Sequence, residues 1–284
     1  MSPESHSPEN HSPENHSPES TSPAGSASTA LITGASAGIG REIARVAVES
    51  CDTLVLVARR KERLEELAAE LEALRPGVRA VSWAADLADE AARQALPQAL
   101  QAEGLEIDWL VNNAGFGVAG RTDEIEVSRL QGMVEVNVLA LQHLTRLFLP
   151  AMVERGRGGV LNVASTAAYQ PLPWMATYAA TKAFVLSFTE ALWREMRGTG
   201  VHVSCLCPGQ TDTEFFDDAG MDGASFEKMP SAHPAAVARA GWEGLLDDQR
   251  VVIPGAQNKV NAALVPLMPK GLVLRVGEKL FRTG

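Results

Sequence analysis

Seven short runs of apolar residues recur along the chain, each followed by a stretch that reads as turn and helix. The runs are TALIT (29–33), TLVLVA (53–58), RAVSWA (79–84), IDWLVNN (107–113), GVLNVAS (159–165), VHVSCLC (201–207) and RVVIP (250–254). Between the second and the third lies KERLEELAAELEAL (61–74), with leucines at helical spacing. Strand–helix alternation of this kind implies right-handed crossovers and a parallel sheet covered on both faces. The expected fold class is therefore α/β. One doubly wound domain over residues 28–255 should carry a seven-stranded parallel sheet with helices on both sides.

The flanking segments have another texture. Residues 2–21 repeat a pentapeptide (SPESH, SPENH, SPENH, SPEST) with almost nothing apolar, so residues 1–27 are expected to be a disordered tail. Its three histidines, His6, His11 and His16, read as part of a solvated linker, and no metal site is expected. Residues 256–284 mix apolar and basic side chains, interrupted by Pro266 and Pro269. This second tail is expected to cap a pocket, pack on a partner subunit or touch a membrane surface.

The first run leads directly into TGASAGIG (33–40) and then into a helix beginning near Ile39. Gly34, Gly38 and Gly40 permit a tight turn, a close backbone approach and tight helix–sheet packing. The free N–H groups and positive end of the helix, at Gly38, Ile39 and Gly40, suit a pyrophosphate. The spacing is G-x-x-x-G-x-G rather than the general dinucleotide fingerprint, so the turn alone is weak evidence. Its place after a strand and before a helix points to a dinucleotide.

The second run ends in VARR (57–60), where a site for an unphosphorylated ribose would carry a carboxylate. Arg59 and Arg60 instead suit a 2′-phosphate, with Ser36 adding a hydroxyl contact; the alternative is that both arginines merely open a solvated helix. The expected cofactor is NADP(H). Asp86, after the third run, is placed to accept from an adenine amino group. Asn113, Ala114 and Gly115 in NNAG, after the fourth, let backbone approach the adenosine ribose. These turns fall at the edge of an open α/β sheet where ligands bind.

ATYAATKAF (176–184) places Tyr178 and Lys182 one helical turn apart, on one face of a helix. An ammonium held beside a phenol favours the phenolate, so the Tyr178 pKa is expected to fall from its usual value of about 10. The alternative is an incidental pair on a surface helix. The other tyrosine of the chain, Tyr169, has Pro173 rather than lysine four residues on.

Taken in order, TGASAGIG, NNAG, a serine thirteen residues before YAATK, and CPGQTDT resemble the short-chain dehydrogenase/reductase family, over about residues 28–255. The local sequence is most similar to its NADP-dependent broad reductase branch. The resemblance implies a Rossmann-type domain and a catalytic set of Asn137, Ser165, Tyr178 and Lys182. In it the phenol gives a proton to a carbonyl oxygen, the serine hydrogen-bonds that oxygen, the lysine binds the nicotinamide ribose and lowers the phenol's pKa, and the asparagine holds a relay water. It further implies that Pro208, Gly209, Thr211 and Thr213 border the nicotinamide, although either threonine would serve equally as a helix cap. Ala37 departs from the pattern, since some NADP-dependent relatives carry a basic residue there. Residues 210–233 fall where the family has its variable substrate lid. Phe215, Phe216, Met221, Phe226 and Met229 suggest an apolar cover, or an ordinary loop packing its own side chains.

The expected activity is NADPH-dependent carbonyl reduction, reversible as alcohol oxidation, on a fairly hydrophobic small molecule. The competing reading is an NADP-binding regulatory or scaffold protein without turnover; a sugar-nucleotide epimerase is disfavoured by the glycine spacing. The net charge of −10, of which the four glutamates of the N-terminal tail supply −4, argues against nucleic acid as a partner. Cys51, Cys205 and Cys207 are too sparse for a disulfide framework and fit reduced core thiols in a cytoplasmic protein. No apolar run reaches the roughly 18 residues of a membrane span. The family often pairs through two long helices, which implies a homodimer or homotetramer built on about 127–153 and 176–198.

Overall fold

The structure, a computed structural model, describes residues 28–215 and 231–282. The N-terminal repeat and most of the expected substrate cover, Phe216, Met221, Phe226 and Met229 among it, lie outside the described residues. Seven parallel strands form one sheet: β1 (Thr29–Thr33), β2 (Thr53–Ala58), β3 (Arg79–Ala84), β4 (Trp109–Asn112), β5 (Gly158–Val163), β6 (Val201–Leu206) and β7 (Val251–Val252). Their order is β3-β2-β1-β4-β5-β6-β7. Each apolar run thus became a strand, and β1, β2 and β5 are buried along their whole length. A strand covered on both faces cannot alternate polar and apolar residues, which is why these runs read as continuously apolar.

The helices are α1 (Gly38–Ala47), α2 (Lys61–Leu74), α3 (Glu90–Ala102), α4 (Val127–Val134), α5 (Leu141–Arg155), α6 (Ala176–Glu195), α7 (Pro234–Leu246), α8 (Ala256–Leu264) and α9 (Lys270–Phe281). On one face, Ile43 of α1, Leu64, Leu67 and Leu71 of α2, and Trp242 and Leu245 of α7 pack on Ile32, Leu54 and Leu56. On the other, Leu96 and Leu100 of α3 and Leu144, Phe148 and Met152 of α5 pack on Leu31, Val55, Leu110 and Val160. Each such side chain, taken fully out of water, contributes about 1.5–3 kcal/mol. All three cysteines are buried; Cys205 and Cys207 lie 3.7 Å apart, sulfur to sulfur, within a cluster that includes Val185 and Leu186 of α6.

Two features depart from the expected pattern. The segment 127–155 is one continuous 29-residue helical stretch, with a window of mean hydropathy 1.3, long and apolar enough by length and composition to cross a membrane although polar and charged residues interrupt it. Its buried side chains face the protein: Met133 is wholly inaccessible, and Leu144, Phe148 and Met152 seal one face of the sheet. Inside it, Glu135–Ala140 widens into a π-helical turn. Such turns insert one residue into the helical period and are frequent at functional sites.

The sheet also holds a buried polar chain. Asn112 Nδ2 donates to Thr145 Oγ1 (3.0 Å) on α5 and to Asn162 Oδ1 (2.9 Å) on β5. Asn162 Nδ2 then donates to Thr189 Oγ1 (3.0 Å) on α6. Asn112 and Asn162 are direct partners in the β4–β5 register.

The C-terminal segment folds back on the domain as α8 and α9. A side chain at Gly277 would meet Pro173, and Arg282 lies over the Trp174 ring at 5.8 Å. Val260, Leu264, Leu267, Leu272 and Val276 of this segment remain exposed.

Candidate active site

The strand order reverses between β1 and β4, and a cleft of about 800 Å³ opens at the carboxyl ends of the strands there. Every residue expected from the sequence to bind cofactor or act in catalysis lines it, except Gly40 and Asn137.

The glycine turn is shaped by its neighbour as much as by any ligand. Thr33 Oγ1 accepts from the backbone N–H groups of Asn113 (2.9 Å) and Ala114 (3.0 Å) and donates to Val111 O (3.1 Å). Asn113 Nδ2 donates to Thr33 O (3.0 Å) and Gly34 O (3.3 Å). Asn113 therefore ties the β1 turn to the β4 turn, and its amide hydrogens are spent on that task. A side chain at Gly40 would collide with Asn113 Nδ2 and the Gly34 carbonyl. Gly40 thus serves the close helix–sheet packing expected of this turn. Gly40→Ala is expected to destabilise the fold by about 3 kcal/mol, read as a fall in the urea midpoint, because backbone must move to admit the methyl group.

The turn does fit a pyrophosphate. Gly38 has φ +55°, and Ala37 at the N-cap of α1 offers no side-chain cap, so the first N–H groups of the helix point at the cleft without an internal partner. No acidic residue stands in that first turn. At the end of β2, Arg59 is exposed, lines the cleft and has no hydrogen-bond or ion-pair partner among the described residues. Arg60 is engaged: it donates to Ser36 Oγ (3.2 and 3.4 Å) and pairs with Glu214 (3.0 Å). Asp86 lines the cleft and accepts from Ala88 N (3.0 Å) through one oxygen. These residues fit a nicotinamide dinucleotide: the α1 N-terminus would hold its pyrophosphate, and Arg59, Arg60 and Asp86 would meet its adenosine end.

At the other end, Ser165 leaves β5 and caps the short 3-10 turn Thr166–Tyr169, its Oγ accepting from Ala167 N (3.1 Å). That contact occupies an oxygen lone pair and leaves the hydroxyl hydrogen to point elsewhere. Tyr178, in the first turn of α6, lines the cleft together with Ser165, whose side chain is near enough to draw the phenol's pKa down. Thr166 points its N–H at Pro208 O (2.8 Å), which fixes the 208–213 loop against the serine. The rival phenol, Tyr169, also lines the cleft, but its hydroxyl faces the Cys207 sulfur at 4.0 Å.

The electrostatics reverse one expectation. Burial pushes the Tyr178 phenol up to about 12, and the nearby Ser165 hydroxyl only partly offsets this. Lys182 does not lower it. Its ammonium lies 5.8 Å from the phenol ring centre and donates to Val163 O (2.8 Å), and burial brings its own pKa down to about 8. Desolvation is the largest cause of both shifts, and neither group counts among the causes of the other's.

Asn137 sits in the π turn behind the cleft, buried. Its Oδ1 accepts from Phe116 N (3.0 Å), and its Nδ2 donates to Phe116 O (3.0 Å) and to Thr181 Oγ1 (3.1 Å). Both amide hydrogens are therefore committed. Asn137 positions the loop after β4 and the α6 backbone, and the water-holding role implied for it is not free to use its N–H groups. Thr181, which also donates to Tyr178 O (2.8 Å), is a member of this group that sequence reasoning missed. So are Leu280 and Phe281 of α9 and Asn258 of α8, which line the cleft from the C-terminal segment.

Comparison with known proteins agrees with this geometry. A model of the short chain dehydrogenase family matches residues 28–222. The chain is 33% identical over 244 residues to the ketoacyl reductase HetN of Nostoc sp., covering 84% of this chain and 82% of that protein. Among solved structures, a short-chain dehydrogenase from Sphingobium yanoikuyae in complex with NADPH is similar at a TM-score of 0.74 and 33% identity, covering 85% of this chain and 94% of that one. The bulky-bulky ketone specific alcohol dehydrogenase of Comamonas testosteroni is similar at 0.70 and 29%, covering 85% and 93%. On its fold, its cleft and these likenesses, the chain belongs to the short-chain dehydrogenase family, as an oxidoreductase acting on CH–OH and C=O groups.

Proposed function

We propose that this chain is an NADPH-dependent reductase of neutral, hydrophobic ketones or aldehydes, with alcohol oxidation as the reverse reaction. The observation that carries the proposal is the pairing of Ser165 with Tyr178 at one end of a cleft whose other end presents Arg59, Arg60 and the α1 N-terminus. Bound there, a nicotinamide dinucleotide supplies or removes hydride. The protein supplies orientation, a proton and a place for charge.

Tyr178, held protonated by burial, gives its proton to the substrate oxygen, which suits reduction at neutral pH. The Ser165 hydrogen, left free by the Ala167 contact, meets the same oxygen as negative charge grows on it. Lys182 keeps an ammonium beside the phenolate that this transfer leaves, which takes its next proton from solvent, and Asn137 and Thr181 hold α6 so that both side chains stay aimed.

The substrate class follows from the lining. Leu172, Met175, Phe215, Val265, Leu280 and Phe281 supply apolar walls. Lys182 is the one cation at that end of the cleft among the described residues, and it belongs to the catalytic group. A substrate carboxylate, sulfonate or phosphate would find no further counter-ion among the described residues, and burying it unpaired is costly. The three buried thiols support a reducing compartment such as the cytoplasm. The exposed Val127, Val134, Leu139, Val153 and Phe184 on α4–α6 support association of copies as a homodimer or homotetramer.

The test is NADPH oxidation, followed by absorbance, against a panel of neutral and anionic ketones. Turnover confined to neutral, apolar members is the expected result; turnover of none, with tight NADPH binding, would favour a binding protein. In the same assay Arg59→Ala is expected to weaken NADPH about tenfold and NADH less than twofold. Equal losses would overturn the choice of the phosphorylated cofactor.

A further inference from the structure

Three consecutive residues after β6 touch three separate parts of the cleft. The Thr213 methyl group would lie 3.1 Å from a side chain at Gly38, over the α1 N-terminus. Glu214 reaches the start of α2, where its carboxylate accepts from Arg60 NH1 (3.0 Å) and from Arg63 NH1 (2.7 and 2.9 Å). Phe215 turns to the chemical end, where its ring centre lies 5.2 Å from that of Tyr178. Its N–H donates to Thr213 Oγ1 (3.4 Å), so the three residues form one short turn.

Two acids therefore seek one base. Arg60 already holds Ser36 and Glu214, and a 2′-phosphate bound at the end of β2 would meet the same guanidinium. A phosphate dianion with three acceptor oxygens makes stronger charge-assisted bonds than an exposed carboxylate, which is worth little as a surface pair. It also repels a carboxylate held within a few ångströms. A ribose hydroxyl does neither.

We propose that Glu214 is a specificity-determining residue that competes with the cofactor's 2′-phosphate for Arg60, so that a phosphorylated nucleotide, and not its unphosphorylated counterpart, draws the 213–215 turn away from Tyr178. Selectivity then acts twice, once on binding and once on catalysis. NADH bound in the same cleft leaves Glu214 on Arg60 and Arg63, and Phe215 stays against the catalytic phenol. The inference rests on the reading of the site as an NADP site and adds to it the means by which the ribose end governs the carbonyl end.

The experiment uses the full chain and its Glu214→Gln variant. Glu214 is exposed, so the variant is expected to fold, and its circular dichroism and melting curve check this. Nucleotide fluorescence gives the Kd for NADPH and NADH, and a neutral ketone substrate gives kcat at saturating levels of each. Glu214→Gln is expected to tighten NADPH about three- to tenfold and to change NADH less than twofold. It is also expected to raise kcat with NADH toward the value with NADPH. An NADPH affinity that is unchanged or weaker, or a kcat with NADH that does not move, overturns the inference. Wild-type protein holding the two nucleotides equally would overturn the cofactor reading and this inference with it. Wild-type preference for NADPH with a silent Glu214→Gln would overturn the inference alone.

Discussion

Tyr178→Phe is expected to lower kcat about 10³-fold while leaving the NADPH Kd within about twofold. The substitution deletes one oxygen from a buried ring and nothing else. The ring keeps its place in the buried cluster with Met133, Met175 and Ala179, and α6 keeps its hold through Thr181 and Asn137. What disappears is the phenol hydroxyl that faces the cleft beside Ser165. Stopped-flow or steady-state NADPH oxidation with a neutral ketone measures the loss, and fluorescence titration measures the binding. Residual turnover within tenfold of wild type would mean that the proton comes from elsewhere, with Tyr169 as the candidate inside the cleft.

Lys182→Met is expected to stop turnover to a similar degree and, against intuition, to stabilise the protein at neutral pH. Lys182 is buried and its pKa falls from 10.5 to about 8 through desolvation. A base whose folded pKa is depressed binds its proton less readily in the fold than in the unfolded chain. Its cost to stability is present in full below about pH 8 and fades as pH rises toward 10.5. At pH 7 that cost is on the order of 3 kcal/mol, and at pH 9.5 about half as much. Methionine fills the space without charge but leaves Val163 O without its donor, which returns about 1 kcal/mol. Differential scanning calorimetry should therefore show Tm higher by about 4–8 °C at pH 7, shrinking at pH 9.5. A Tm that falls at both pH values would show that the Val163 bond outweighs the buried charge.

The fold was legible because a doubly wound sheet leaves a strong trace. Residues 53–58 and 61–74 could be read to the residue, since one is wholly buried and the other repeats leucine at helical spacing. Strand ends were read less well: the expected 107–113, 159–165 and 250–254 are Trp109–Asn112, Gly158–Val163 and Val251–Val252. Past β4 and β5 the run continues into Asn113, Ala164 and Ser165, which line the cleft, while Ile107 and Asp108 are already buried before β4 begins. The catalytic group was legible as a set of positions, not as an electrostatic balance. A spacing of four residues says that Tyr178 and Lys182 share a helix face; it does not say that the ammonium turns to Val163 or that burial dominates both groups. The π turn at 135–140 left only a hint, an asparagine in a helical stretch, because one inserted residue barely disturbs an apolar period. The bridge from Arg60 to Glu214 spans 154 positions and leaves no local mark at either end.

The side chains of Asn112, Thr145, Asn162 and Thr189 have a consequence for how the chain finds its shape. Parallel neighbours joined by long crossovers have no hairpin to set their alignment, and runs as uniformly greasy as β4 and β5 would tolerate sliding past one another. A slip by one position would carry Asn112 and Asn162 to opposite sides of the sheet and strand amide hydrogens in oil, at about 1–3 kcal/mol for each group. Leucine in their stead would leave the native alignment nearly as stable and remove the penalty on every wrong one. These four residues act as a key that fits a single notch, and through it they set where Ser165 and Tyr178 emerge.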